Sequence, residues 1–127
     1  MTFPEDWPEG CPPADSSIAN AIVIRIVQNN PPTIRDFSSF VELGRQLNSP
    51  VDCPCMPLGL SMFLSRDDAI WMSRKYPRLG RYLAMGQPSI ADGTVKLTKG
   101  QRPTHTTWWP SNECERLGVF GNCEEIQ

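Results

Sequence analysis

Apolar and polar positions repeat along this chain with two different periods, and the switches between them predict the elements. Residues 20–28 (N-A-I-V-I-R-I-V-Q) form a β-branched run with apolar side chains on both faces. That pattern predicts a central strand covered on both sides, with Arg25 as its polar interruption. In residues 34–47, Phe37, Phe40, Val41 and Leu47 fall on one helical stripe, so a helix is expected there, started by Thr33 or Asp36. Residues 58–64 alternate: Leu58, Leu60, Met62 and Leu64 share one face, and Gly59, Ser61 and Phe63 share the other. Ser65 then opens S-R-D-D, a capping-box-like start with Asp67 and Asp68 in the first helical turn. This helix should run to about Tyr76, where Pro77 stops it. Residues 80–86, 93–98 and 104–109 read as strands, and 117–120 as a short last one. The Q-P-S-I-A-D-G stretch between the first two of these suits a loop better than a tight hairpin.

Two main helices and five or six strands in this order predict a single small α+β domain with a mostly antiparallel sheet. Pro4, Pro8, Pro12 and Pro13 make residues 1–17 an irregular proline-rich arm, leaving 18–127 as the domain. The 127 residues, 39% of them hydrophobic, with a net charge of −2, exclude an extended disordered chain. The same balance lacks the basic excess of a dedicated nucleic-acid binder, so no nucleic-acid partner is expected. The longest apolar run, 21–24, is too short to span a bilayer. With no secretory apolar segment at the start, the expected location is cytoplasmic, with reduced thiols. The thirteen prolines crowd 4–13, 31–32 and 50–57, which marks long ordered connections between the periodic segments.

Candidate chemistry lies in a few residues. Cys11, Cys53, Cys55, Cys114 and Cys123 are odd in number, so at least one is unpaired. Their spacings of one and eight depart from paired C-x-x-C, so free thiols are expected rather than a zinc site, and a Cys114–Cys123 disulfide only in an oxidising setting. His105 is the single histidine and shares a strand face with Thr107 and Trp109. It is either an acid–base or ligand-binding group beside an aromatic wall, or a hydrogen-bonded residue at a sheet edge. Arg25 in an apolar strand needs an acidic partner or an anionic ligand. Ser61 lacks a G-x-S-x-G elbow and reads as a hydroxyl that hydrogen-bonds a ligand rather than as a nucleophile. Glu113 and Glu115 would share a face if their segment were extended, either as an acid–base pair or as a solvated turn.

In order along the chain, Arg25 on the first strand, the L-S-M-F-L-S-R-D-D-A strand and capped helix, and E-C-E near the end resemble the layout of ADP-ribosyltransferase-like domains. The resemblance spans residues 20–116. It implies Arg25 as a phosphate clamp, Ser61 as a ligand-orienting hydroxyl and Glu115 as the ribose-contacting, catalytic carboxylate. The serine strand reads S-M-F where the family has S-T-S. With His105 and Trp109 added, the expectation is a pocket that binds NAD or a related nucleotide. The alternative is a non-catalytic protein-interaction module using exposed tryptophans, which requires Trp108 or Trp109 at the surface.

Overall fold

The computed structural model describes residues 1–45 and 54–127. Seven strands form one antiparallel sheet: β1 (Ser17–Ile18), β2 (Val23–Val27), β3 (Leu60–Phe63), β4 (Tyr82–Gly86), β5 (Gly93–Leu97), β6 (His105–Pro110) and β7 (Asn122–Glu125). Their order across the sheet is β1-β5-β6-β3-β2-β4-β7. Helix α1 (Arg66–Lys75) and the short α2 (Arg116–Val119) complete the regular elements, with 3-10 turns at Ile34–Phe37, Met56–Leu58 and Pro77–Leu79. The α+β class and antiparallel pairing agree with the sequence, but the strands number seven rather than five or six. Among the described residues, no helix is long and apolar enough to cross a membrane.

The strand–cap–helix unit forms as its sequence dictates. The Ser65 hydroxyl accepts from the Asp68 amide at 3.3 Å, satisfying one of the orphan donors of the first turn. The Asp68 carboxylate does not turn back onto Ser65 to close the box. It accepts from the Thr104 amide (3.1 Å), the Thr104 hydroxyl (2.6 Å) and Arg102 Nε (2.9 Å), tying α1 to the loop before β6. The Thr104 hydroxyl in turn accepts from the Ser65 amide, the bond the box would have supplied.

Three sequence readings are corrected. Residues 34–45 hold a 3-10 turn and further turns rather than a helix, and the stripe's last member, Leu47, lies outside the described residues. The Asp36 carboxylate caps the turn through the Thr33 amide and also accepts from the Gln28 amide and Asn29 Nδ2, which ties this first turn to the end of β2, and the backbone leaves helical geometry at Ser38. Only Phe37 is then buried, while Phe40 and Val41 are exposed. Residues 116–119 are helical instead of a strand, and the polar tail after them supplies edge strand β7. The expectation of reduced thiols fails for Cys11 and Cys55, which form a disulfide, whereas Cys114 and Cys123 are free.

Each face of the sheet has its own core. On one face Val23, Val27, Leu60, Met62, Ala84 and Trp108 meet Phe37 and Phe120 in one cluster. On the other, α1 covers Ile24, Phe63 and Leu83 through Ala69. Farther along that second face, Trp109 packs with Cys55 and Leu58 under Phe3, Trp7 and Cys11 of the arm. The arm is therefore a folded cover, closed by the disulfide, and its last residues enter the sheet as β1.

Candidate functional site

Between the α1 cover and the arm cover, the second face carries polar side chains from neighbouring strands. The register pairs Ser61 with Thr107 and Phe63 with His105 across β3 and β6, and Lys96 with Thr107 across β6 and β5. By strand alternation Ser61, His105 and Thr107 point to this one face. Gly59 precedes β3 because a methyl group there would overlap the Thr107 methyl and crowd Trp109 Nε1.

The geometry of His105 selects the tautomer of its neutral ring. Nδ1 lies 2.8 Å from the Thr98 carbonyl oxygen, which can only accept, so Nδ1 carries the hydrogen. The neutral ring then presents a bare Nε2, 3.0 Å from the Ser61 hydroxyl, which donates to it. Burial pulls the imidazole below its usual range, against the opposing pull of the Thr98 carbonyl bond, and favours this neutral form. The Phe63 ring meets the imidazole edge-on at 5.4 Å and limits its rotation. The Thr98 hydroxyl lies 2.9 Å from Nδ1 and 2.8 Å from the Thr107 hydroxyl, linking the ring to the next strand position. The result is an exposed serine hydroxyl bonded to an oriented, neutral imidazole, the arrangement that acid–base activation of a nucleophile uses.

The other expected site residues are placed differently. Arg25 alternates with Val23 and Val27, so its side chain leaves on the opposite face from the Ser61 hydroxyl. Its Nε donates to the Asp36 carbonyl and its Nη1 to the Ser61 carbonyl, both at 2.9 Å, clamping the 3-10 turn to the sheet. Burial draws this guanidinium down to about 10, partly offset by the Asp36 carboxylate. Trp109 is fully buried and donates from Nε1 to the Cys55 carbonyl at 2.8 Å, so its ring is wall rather than platform. Trp108 is equally buried, so neither of the adjacent tryptophans is a surface anchor. The two carboxylates of E-C-E diverge. Glu113 accepts from the Thr2 amide and hydroxyl, while Glu115 is exposed and starts α2 through its backbone carbonyl. Ser61 and His105 thus come together, with Arg25 touching only the Ser61 backbone.

Thr98 and Thr107 complete the site; the alternation put Thr107 on the His105 face without a role, and Thr98 was passed over. Their signal is non-local: it appears only once β5 and β6 are paired in register. Among the described residues no group of three or more His, Cys, Asp or Glu is gathered to hold a metal ion. Comparison with protein-family models, with curated proteins and with solved structures finds no match to this chain.

Proposed function

We propose that the chain is a serine-centred hydrolase or acyl transferase, with Ser61 as nucleophile and His105 as general base. The observation that carries this reading is the 3.0 Å bond from an exposed hydroxyl to Nε2 of an imidazole whose Nδ1–H is held by the Thr98 carbonyl. Ser61 Oγ attacks an electrophilic acyl carbon as Nε2 takes its proton. The imidazolium then returns that proton to the leaving group, and water, deprotonated by the same nitrogen, cleaves the acyl-serine ester. A backbone carbonyl stabilises the transient imidazolium less than a carboxylate would, so slow turnover is expected.

A fluorophosphonate probe and p-nitrophenyl acetate test this. Ser61 should gain the phosphonyl mass, and Ser61→Ala should lose both labelling and ester hydrolysis. His105→Ala should lower both by about a hundredfold or more. No label on Ser61, or hydrolysis unchanged in Ser61→Ala, removes the proposal. The second reading keeps the same hydroxyl as a ligand-orienting group for NAD or a related nucleotide, and rests on the meeting of Ser61 and His105, two of the expected ligand-binding residues, without Arg25, Trp109 or Glu115. Calorimetry with NAD at millimolar concentration decides it, and the absence of heat removes it. The Cys11–Cys55 disulfide supports work in an oxidising compartment over the cytoplasmic location expected at first.

A further inference from the structure

We propose that the outer face of α1 and the loop before β6 dock an acidic polypeptide segment of a partner protein, independently of the Ser61 site. Arg66, Arg74, Lys75, Arg78, Arg81, Lys99 and Arg102 are seven of the chain's twelve Lys and Arg residues, although the molecule as a whole carries a net charge of −2. They gather on and beside α1. Arg66 is engaged by the Glu124 carboxylate at 2.7 Å, whereas Arg74 Nη2 donates to a backbone carbonyl, that of Gln127 at 2.9 Å, so the positive charge not matched by a carboxylate sits toward the C-terminal half of the helix.

There Asp67, Ile70, Trp71, Arg74 and Lys75 line an open groove of about 720 Å³. Trp71 is 37% exposed, in contrast to the fully buried Trp108 and Trp109. Lys75 Nζ lies 4.9 Å from the centre of the Trp71 ring, and the Arg102 guanidinium lies 4.8 Å from it. Arg102 is held in place by its 2.9 Å bond to the buried Asp68 carboxylate, so this cation is preset rather than mobile. Lys75 is likewise steadied by Gln101 Oε1 at 2.6 Å.

These contacts choose between anionic partners. A nucleobase stacking on Trp71 would have to displace a cation already lying over the ring. A carboxylate can join Lys75 and Arg74 with the cation–ring contacts intact, while the aliphatic part of a Glu side chain lies along Ile70 and Trp71. Asp67 at the other end of the groove repels carboxylates there, which sets the acidic segment over Arg74, Lys75 and Arg102.

The test uses the full chain and a fluorescein-labelled octaglutamate peptide, read by anisotropy. Labelled octathymidylate and a neutral octaserine peptide serve as comparators. Octaglutamate should bind saturably at low salt and weaken by about tenfold or more at ~0.5 M salt. Arg74→Glu with Lys75→Glu should weaken it at least as much, and the milder Arg74→Gln, Lys75→Gln and Trp71→Phe variants by smaller, separate steps. Absence of octaglutamate binding, binding indifferent to these substitutions, or equal binding of octaserine overturns the proposal. Octathymidylate binding as tightly as octaglutamate also overturns it, because the surface would then read phosphate.

Discussion

The two faces of the sheet bury comparable side chains and end with different capacities. The Trp108 face is one continuous apolar cluster, closed by Phe37 stacked on Phe120 at 4.6 Å, with Trp108 tilted against Phe120. The Trp109 face is divided. Helix α1 covers one end, the disulfide-closed arm covers the other, and the polar Ser61–His105 pair occupies the interval. On the continuous core the polar Arg25 of a central strand is spent on backbone carbonyls, whereas two separate covers leave a strip between them where a side-chain hydroxyl stays exposed. The chemistry therefore sits where the covers do not meet, and its geometry should depend on both.

The sharpest way to break this division is to remove its arm-side anchor. Trp109→Ala deletes a fully buried ring and the donor to the Cys55 carbonyl, and should cost about 3–5 kcal/mol in urea unfolding. The arm should become protease-sensitive in this variant, while near-native α1 signals persist if the two covers are independent. Next comes the covalent closure. The disulfide spans a sequence separation of 44, and Cys11→Ser with Cys55→Ser should lower stability by about 2–4 kcal/mol. Equal stability of that variant and the oxidised parent would show that the arm is held by packing alone.

A smaller contrast compares the faces through one atom. Trp108 Nε1 is buried with no hydrogen-bond partner among the described residues, whereas Trp109 Nε1 has one. Both Trp→Phe substitutions shrink a packed ring. Only Trp109→Phe also strips a hydrogen bond, leaving the Cys55 carbonyl with the Leu58 amide as its remaining donor. Trp109→Phe should therefore be the more destabilising by about 1 kcal/mol in parallel urea titrations. The reverse order would mean that the Trp108 donor is satisfied in solution, and the contrast between the faces would lose that support.

The same division explains what could be read from the sequence. The α1 end was legible because its rules are local: alternation through Phe63, Ser65 as cap, and Pro77 as stop. Strands β2 to β6 were legible for the same reason, but the edge strands β1 and β7 were not: one was assigned to the arm and the other to the polar tail. The arm end was not legible, because its order comes from a disulfide to Cys55 and from the buried Trp109, which are far apart in sequence. The helix expected over 34–47 is replaced over the described 34–45 by turns, the first tied by Asp36 to the β2 end, a contact between segments that the stripe does not encode. At the site, strand alternation placed His105 with Thr107 and Trp109 but could not show whether Ser61 faced them. That needed the β3–β6 register. Arg25 was visible as an oddity, but its partners are backbone carbonyls, which leave no trace in residue types.

The smallest expected effect separates the two parts of the divided face by pH. Burial holds the His105 imidazole below its usual value, so the native state favours the neutral ring. An unfolded chain takes up that proton at about 6.5, before the native state does. The contribution of His105 to stability is thus complete above about pH 6.5 and is lost as pH falls through the lower native value. Asp68, at the α1 end, is also lowered, chiefly by the Thr104 hydroxyl and further by Arg102, both against the cost of burial. Its stabilisation is present above the ordinary carboxylate range and disappears only as pH falls through the still lower native value. Urea midpoints followed from pH ~8 to ~3 should therefore decline in two steps, the upper from the Ser61 strip and the lower from the α1 anchor. His105→Gln should abolish the upper step and retain the lower, and Asp68→Asn should retain the upper and diminish the lower, to which the lowered Glu42 and Glu113 carboxylates also contribute. An upper step that survives in His105→Gln would assign it to another group. Retention of the upper step in the parent, together with fluorophosphonate labelling of Ser61 that falls over the same pH range, would tie the stability of the strip and its reactivity to one proton on one nitrogen.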